Sequence, residues 1–199
     1  MSPKLKFQSD RLIIRPAHRT DYQEWRRAYL AELPKQSSFD PSPSQGDCIT
    51  YSEFLAQLKR SKHLVKMGLT FNFLAFKKST QQIIGDSQLW CVQRGDCQRA
   101  TLGFSVINNH WRLGYGFEIA HATICFAIKE MGLNRIEAEI RPDNTPSIKL
   151  CEKLGMQSEG IRRHALYEDN QWQDHLVYSI TAQDLGITGL KPCSEKGII

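Results

Sequence analysis

No stretch of this chain stays apolar for the roughly 20 residues that a bilayer-spanning helix needs, and Met1 to Asp10 (MSPKLKFQSD) lacks the apolar centre of a secretory signal. Both absences predict a cytoplasmic protein. The six cysteines, Cys48, Cys91, Cys97, Cys125, Cys151 and Cys193, form no C-x-x-C pair, and no histidine stands at zinc spacing from them. Reduced thiols, some of them in the core, therefore fit better than a disulfide frame or a metal. A formal charge of +5 permits an anionic partner, but no zinc finger, RNP-type sequence or basic arm accompanies it, which argues against direct reading of nucleic acid. Ser147, His164 and Asp174 do not make a hydrolase triad, because no G-x-S-x-G elbow surrounds the serine. No internal repeat or linker interrupts the 199 residues, which suffice for one domain with its own core.

What is present centres on Asn108 to Met131, NNHWRLGYGFEIAHATICFAIKEM, where a glycine-bearing turn runs into an amphipathic helix. Gly114 and Gly116 bracket Tyr115, so the backbone there can approach a ligand closely, and the helix that follows points unpaired N–H groups at the turn. Those donors and the positive end of the helix dipole suit a phosphate, with Arg112 beside them as a mobile cation. The same glycines would also serve a tight loop before a core helix, and the pattern alone leaves both readings open. Phe117, Ala120, Ile124, Ala127, Ile128 and Met131 recur at helical spacing, and Gly132 stands at the C-terminal cap.

Before that stretch, Leu12 to Ile14 reads as a short strand, and Thr20 to Gln23 as a capping box for a helix carrying Trp25, Ala28 and Tyr29. Pro34 to Asp47 is a polar loop with three prolines, of the kind that often covers a site, and Thr50 to Glu53 offers a second capping box for a helix with Phe54, Leu55 and Leu58. From Leu69 the period is two, and strands at 83–92 and 100–107 continue an antiparallel meander. Beyond the central helix, Arg135 to Arg141 alternates as a strand that would run parallel to 100–107. Asn144 or Thr145 caps a helix with Pro146 in its first turn, and 156–166 with 172–180 make a hairpin around Asp169-Asn170. The tryptophans at 90, 111 and 172 fit core packing better than a base-stacking platform. The expectation is a mixed α/β domain over residues 1–185, about seven strands in one sheet with a parallel crossover and four flanking helices, followed by a tail at 186–199.

Phe104-Ser105-Val106-Ile107, Trp111 to Gly116, Asn144-Thr145-Pro146-Ser147 and Glu152 to Met156 resemble, in order and spacing, the acetyl-CoA-binding core of the GNAT N-acetyltransferases. Asp10 to Pro16, Glu159 to Arg162 and Gln171 to His175 are similar to the RimJ/RimL branch, RimJ-type members above all, so that the resemblance spans about residues 8–185. It implies acetyl-CoA as co-substrate and transfer to a primary amine, with the N-terminus of a ribosomal protein as acceptor. A small-amine acetyltransferase (polyamine, amino acid or antibiotic) and a non-catalytic CoA-binding module are the alternatives. It also implies that main-chain groups of Phe104, Ser105, Val106 and Ile107 hold the pantetheine arm as an added strand, that Arg112, Leu113, Gly114, Tyr115, Gly116 and Phe117 donate to the pyrophosphate, and that Asn144 bonds the pantetheine. Trp111 replaces the family's usual Gln or Arg, for which Arg112 would substitute.

Transfer from a thioester to an amine needs a neutral nucleophile and some means of quenching the departing thiolate. Deprotonation at neutral pH costs about 1 kcal/mol for an α-amine of pKa ~7.8 and about 4.6 for a lysine of pKa ~10.4, so the former can rely on a weak base or a water chain. By the resemblance Ser147 is the acid near the sulfur, although it also reads as a first-turn serine bonding locally. The carboxylate that one relative uses in the final hairpin is replaced here by Leu166. Glu118 reads as a dipole partner or packing contact, Glu137, Glu139 and Glu168 as solvent-facing or hairpin carboxylates, and His110 and His164 as the histidines beside the cleft. No base is assigned.

Overall fold

Alternating apolar residues build most of the strands, and the computed structural model describes them within residues 5–40 and 50–191. β1 (Phe7–Gln8), β2 (Leu12–Arg15), β3 (Phe71–Lys77), β4 (Ile83–Gln93), β5 (Arg99–Val106), β6 (Arg135–Ile140), β7 (Gln157–Glu168) and β8 (Gln171–Thr181) form one sheet in the order β1-β2-β3-β4-β5-β6-β8-β7. The eighth strand, beyond the seven expected, is β1, held by Phe7 stacking on Phe126 at 4.4 Å and meeting Phe73 edge-on at 5.1 Å. Every neighbouring pair is antiparallel except β5 and β6.

Four α-helices are described: α1 (Tyr22–Leu30), α2 (Tyr51–Lys66), α3 (Tyr115–Lys129) and α4 (Thr145–Lys153). The α3 helix is the crossover between β5 and β6, and it packs Ile119, Ala120, Ile124, Ala127 and Ile128 against Phe71, Phe73, Ile84, Ile136 and Ala138 of the sheet. A smaller cluster of Ala28, Leu74, Phe76, Ile83 and Ile107 lies beneath α1. No described helix is long and apolar enough to cross a membrane.

Several local signals act as expected. Thr50 accepts from Glu53 N–H while the Glu53 carboxylate accepts from Thr50 N–H, closing the box that starts α2. Asn144 caps α4 by accepting from Ser147 N–H at 3.3 Å. Asp169 and Asn170 both take positive φ, 51° and 63°, as a two-residue hairpin turn of the primed type requires.

Others differ. Thr20 does not cap α1; a 3-10 turn at Arg19–Asp21 intervenes, and the Asp21 carboxylate instead accepts from His18 N–H and from both terminal nitrogens of Arg15. Leu55 and Leu69 are exposed, as are Trp90 and Trp172, whose positions near the ends of strands or on the outer hairpin leave no second layer to cover them. Glu137 is buried, not solvent-facing, with Arg99 and Arg135 bound to its Oε1. Of the expected loop, 34–40 is described and 41–47 lies outside the described residues, as do 192–199 of the expected tail; Ile187 still packs against the main core.

Candidate active site

The β5 and β6 strands pair only from Arg99 to Thr101 against Arg135 to Glu137, and beyond Thr101 they part. The Ile107 N–H bonds Ile84 C=O at 3.0 Å, which sets the antiparallel alternation along β5: Ser105 and Ile107 direct their main-chain groups to β4, Phe104 and Val106 theirs to the open side. The Val106 C=O accepts from the Trp111 indole N–H at 2.6 Å, so the open edge is offered mainly by Phe104 with the N–H of Val106. The Ser105 hydroxyl donates to Asp86 on β4 at 2.5 Å, and burial raises the Asp86 carboxyl above the ordinary range even though Ser105 and Tyr29 both bond it.

The turn after β5 opens α3. Gly114 has φ of +82° and Arg112 of +60°, and the first intrahelical bond runs from Glu118 N–H to Gly114 C=O, leaving the N–H groups of Tyr115, Gly116 and Phe117 ahead of the ladder. A Cβ on Gly116 would stand 3.1 Å from Leu150 Cδ1, so glycine lets α3 and α4 close together there. The cation fixed at this turn is Arg11, not Arg112. Its Nη1 donates to Leu113 C=O at 3.1 Å, its guanidinium lies 4.3 Å over the buried Tyr115 ring, and it grips Glu118 through Nε and Nη2. Burial would raise the Glu118 carboxyl, but Ser9 and Arg11 together hold it below the usual range. Arg112 and Leu113 are exposed, and Phe117 is half-buried, stacked on His121.

Where the strands part, a cavity of about 500 Å³ is lined by Leu102, Gly103 and Phe104 of β5, Ala138 to Ile140 of β6, and Asn144, Ser147 and Cys151 of α4. Burial pushes the Cys151 thiol up to about 12. Since Asn144 Oδ1 is committed to its cap, the group it can offer a ligand is Nδ2. The Ser147 hydroxyl makes no bond to any described residue, so the local helix bond that competed with a chemical role is not formed. A larger hollow, about 910 Å³, runs along the length of α3 beside the β1–β2 turn, lined by Arg11, Gly114, His121, Cys125 and Lys129, and it holds none of the residues at the strand divergence.

The opposite wall comes from remote segments. Asn108, buried just after β5, accepts from Leu33 N–H and donates to Leu33 C=O and to Asp40, which pins 33–40 across the cavity mouth. Lys35, Phe39 and Asp40 then line it, with Arg141 5.1 Å over the Phe39 ring. From the hairpin come Glu168, Asp169 and His175. His175 is 3% exposed, neither ring nitrogen has a hydrogen-bond partner, and Glu168 Oε2 lies 3.6 Å from Nε2. Of the histidines singled out by sequence, His164 sits in a bulge of β7 and gives its main-chain N–H to Asp174, while His110 is partly buried against Tyr115, its basicity lowered by burial and then by Lys77. Arg11 and His175 were missed. The alternation of Trp172 to Ile180 could have placed His175 on one face of β8, but not against a cavity.

A strand edge left free beside a helix N-terminus, with a hydroxyl and an amide on the facing helix, suits an extended thioester whose phosphates lie at the turn. Comparison with known proteins agrees: the acetyltransferase (GNAT) domain profile matches residues 11–157. The chain belongs to the GNAT acetyltransferase family, and it is an acyltransferase that moves an acetyl group from acetyl-CoA to an amine. Over 184 residues, 92% of this chain and 93% of the relative, it is 31% identical to the ribosomal protein uS5-alanine N-acetyltransferase of Escherichia coli strain K12. Its fold is similar to the ribosomal-protein-S5-alanine acetyltransferase of Vibrio fischeri (TM-score 0.73, 23% identity, 95% of this chain and 100% of that one). It is equally similar to Mycobacterium smegmatis RimJ in complex with CoA-disulfide (TM-score 0.73, 23% identity, 87% and 83%).

Proposed function

We propose that the acceptor is the N-terminal α-amine of a protein, with a ribosomal protein met in the cytoplasm as the first candidate. The observation that carries this reading is the divergence of β5 from β6, which sets the Phe104 edge, Asn144 and Ser147 against a wall bearing the carboxylates of Glu139 and Glu168, suited to an incoming ammonium. The name of the E. coli relative, similar over nearly the whole chain, supports the acceptor class. So does the arithmetic of deprotonation, which asks about 1 kcal/mol of a site for an α-amine against about 4.6 for a lysine.

In this reading the pantetheine arm runs along Phe104 while Ser105, Val106 and Ile107 hold the strand in place. The N–H groups between Arg112 and Phe117 receive the pyrophosphate, with Arg11 adjacent, and Asn144 Nδ2 bonds the arm. The Ser147 hydroxyl gives its proton to the departing sulfur.

The experiment is mass spectrometry of thiol release and product after incubation with acetyl-CoA and a panel of N-terminal peptides, lysine peptides and small amines. Acetylation at a peptide α-amine is the expected result, with kcat for Ser147→Ala lower by about 100-fold and the acetyl-CoA KM little changed. Turnover with small amines alone would discard the protein acceptor and keep the chemistry. Tight CoA binding without turnover would favour a regulatory module.

A further inference from the structure

Among the described residues of the cavity wall, His175 is the polar side chain that is almost wholly buried and yet unsatisfied at both of its hydrogen-bonding atoms. Buried polar groups are normally partnered, so an orphaned imidazole calls for an explanation. Its position supplies one. The β8 strand pairs Leu176 with Ile140 of β6 and Ile161 of β7, and Leu176 packs into the core under α3. Alternation turns the neighbouring His175 to the face away from α3 and α4, where its ring lines the same cavity as Ser147 at the parting of the strands.

We propose that His175 is the general base of the acetyl transfer, accepting a proton from the ammonium of the acceptor. The proposal rests on the reading of the cavity as the transfer site. Glu168 Oε2, 3.6 Å from Nε2, is too far for a hydrogen bond but near enough to make one after a small rotation. That bond would hold the ring proton on Nε2 and keep the lone pair on Nδ1, which is shielded in the free protein and meets the amine only as the ring turns toward the cavity, and this makes Glu168 a positioning residue. The charged groups that share the cavity with the ring are Glu168 and Asp169 from the hairpin, Glu139 and Arg141 from β6 and its end, and Lys35 and Asp40 from the covering segment. Of these, Arg141 is bound to Asp143 and Asp169, and Glu139 is bound to Arg162.

The step balances without a further reactant. The imidazole takes one proton from the ammonium, and the freed nitrogen lone pair forms the N–C bond at the thioester carbonyl. The C–S bond breaks, its electron pair leaving with sulfur. Ser147 gives its hydroxyl proton to the thiolate and regains one from the second proton of the nitrogen, and the imidazolium releases the first to solvent.

The test compares the wild-type protein, His175→Ala and His175→Gln with acetyl-CoA and an alanine-terminated peptide, alongside CoA binding by calorimetry. The expected result is a kcat about 100-fold lower in both variants with CoA affinity within about twofold, and recovery of His175→Ala by added imidazole or by raising the pH until the α-amine is free. Imidazole leaves the wild type unchanged. The proposal is overturned if both variants keep kcat within about threefold of wild type, or if the loss resists imidazole and high pH alike. His175→Gln retains side-chain bulk and decides the matter if His175→Ala fails to bind CoA. A wild-type protein that acetylates no amine would defeat the proposed function itself, a result distinct from failure of the histidine.

Discussion

The two walls of the cleft are built on different plans. On the side proposed for acetyl-CoA the chain offers main-chain groups close in sequence: the free edge at Phe104, the left-handed Gly114 and the N–H groups that begin α3, all within residues 104–117. On the side proposed for the acceptor it offers side chains from distant places, with Asn108 holding Leu33 and Asp40 across 75 and 68 residues and the hairpin contributing Glu168 and His175. A main-chain wall changes little when outward side chains change, whereas a side-chain wall can be redrawn one residue at a time. In the proposed reading a constant donor wall faces an adjustable acceptor wall, and damage to one should leave the other's affinity intact.

The largest expected effect comes from Asn108→Ala. It strips partners from the Leu33 main chain and from Asp40, a loss of about 2 to 3 kcal/mol of stability by chemical denaturation. If the protein remains folded, the acceptor KM should rise while the acetyl-CoA KM does not; a parallel rise in both would break the separation. Gly114→Val is the complementary change. A branched side chain at φ of +82° strains the turn by about 1 to 2 kcal/mol, and acetyl-CoA binding should weaken about tenfold with the acceptor KM unchanged.

The smallest effect is electrostatic. The Glu118 carboxyl is depressed in the folded protein, so its contribution is present above an unfolded value near 4.5 and is lost as the pH falls through the folded value. For this partly exposed pair with Arg11 the amount is about 1 kcal/mol or less. Urea midpoints of wild type and Glu118→Gln measured from pH 7 downward should converge below about pH 4.5. Midpoints that stay parallel would mean that Glu118 gains nothing from Arg11.

What could be read in advance follows the same division. The Thr50 to Glu53 box, the Asn144 cap, the Asp169-Asn170 turn and the helix after Gly116 are local arrangements, and local chemistry decides them. The misreadings arise where a distant partner outbids a near one. Asp21 caps the 3-10 turn from His18 and grips Arg15 at the same time, and Glu137 is drawn inward by two arginines. Arg11 takes the place beside the glycine turn that seemed to belong to Arg112, because β2 delivers it there from 102 residues away. Trp90 and Trp172 look like core residues by type and are left exposed by their position in the sheet.

The sequence by itself determined the family, the order of its elements and the glycine turn that opens the central helix, because periodicity, caps and turns act over a few residues. Only the tertiary structure decided how far β5 and β6 stay paired, which segment covers the gap between them, and that a histidine in the last strand ends buried there without a partner. Those outcomes depend on where remote strands and segments meet in space, a relation that no local pattern encodes.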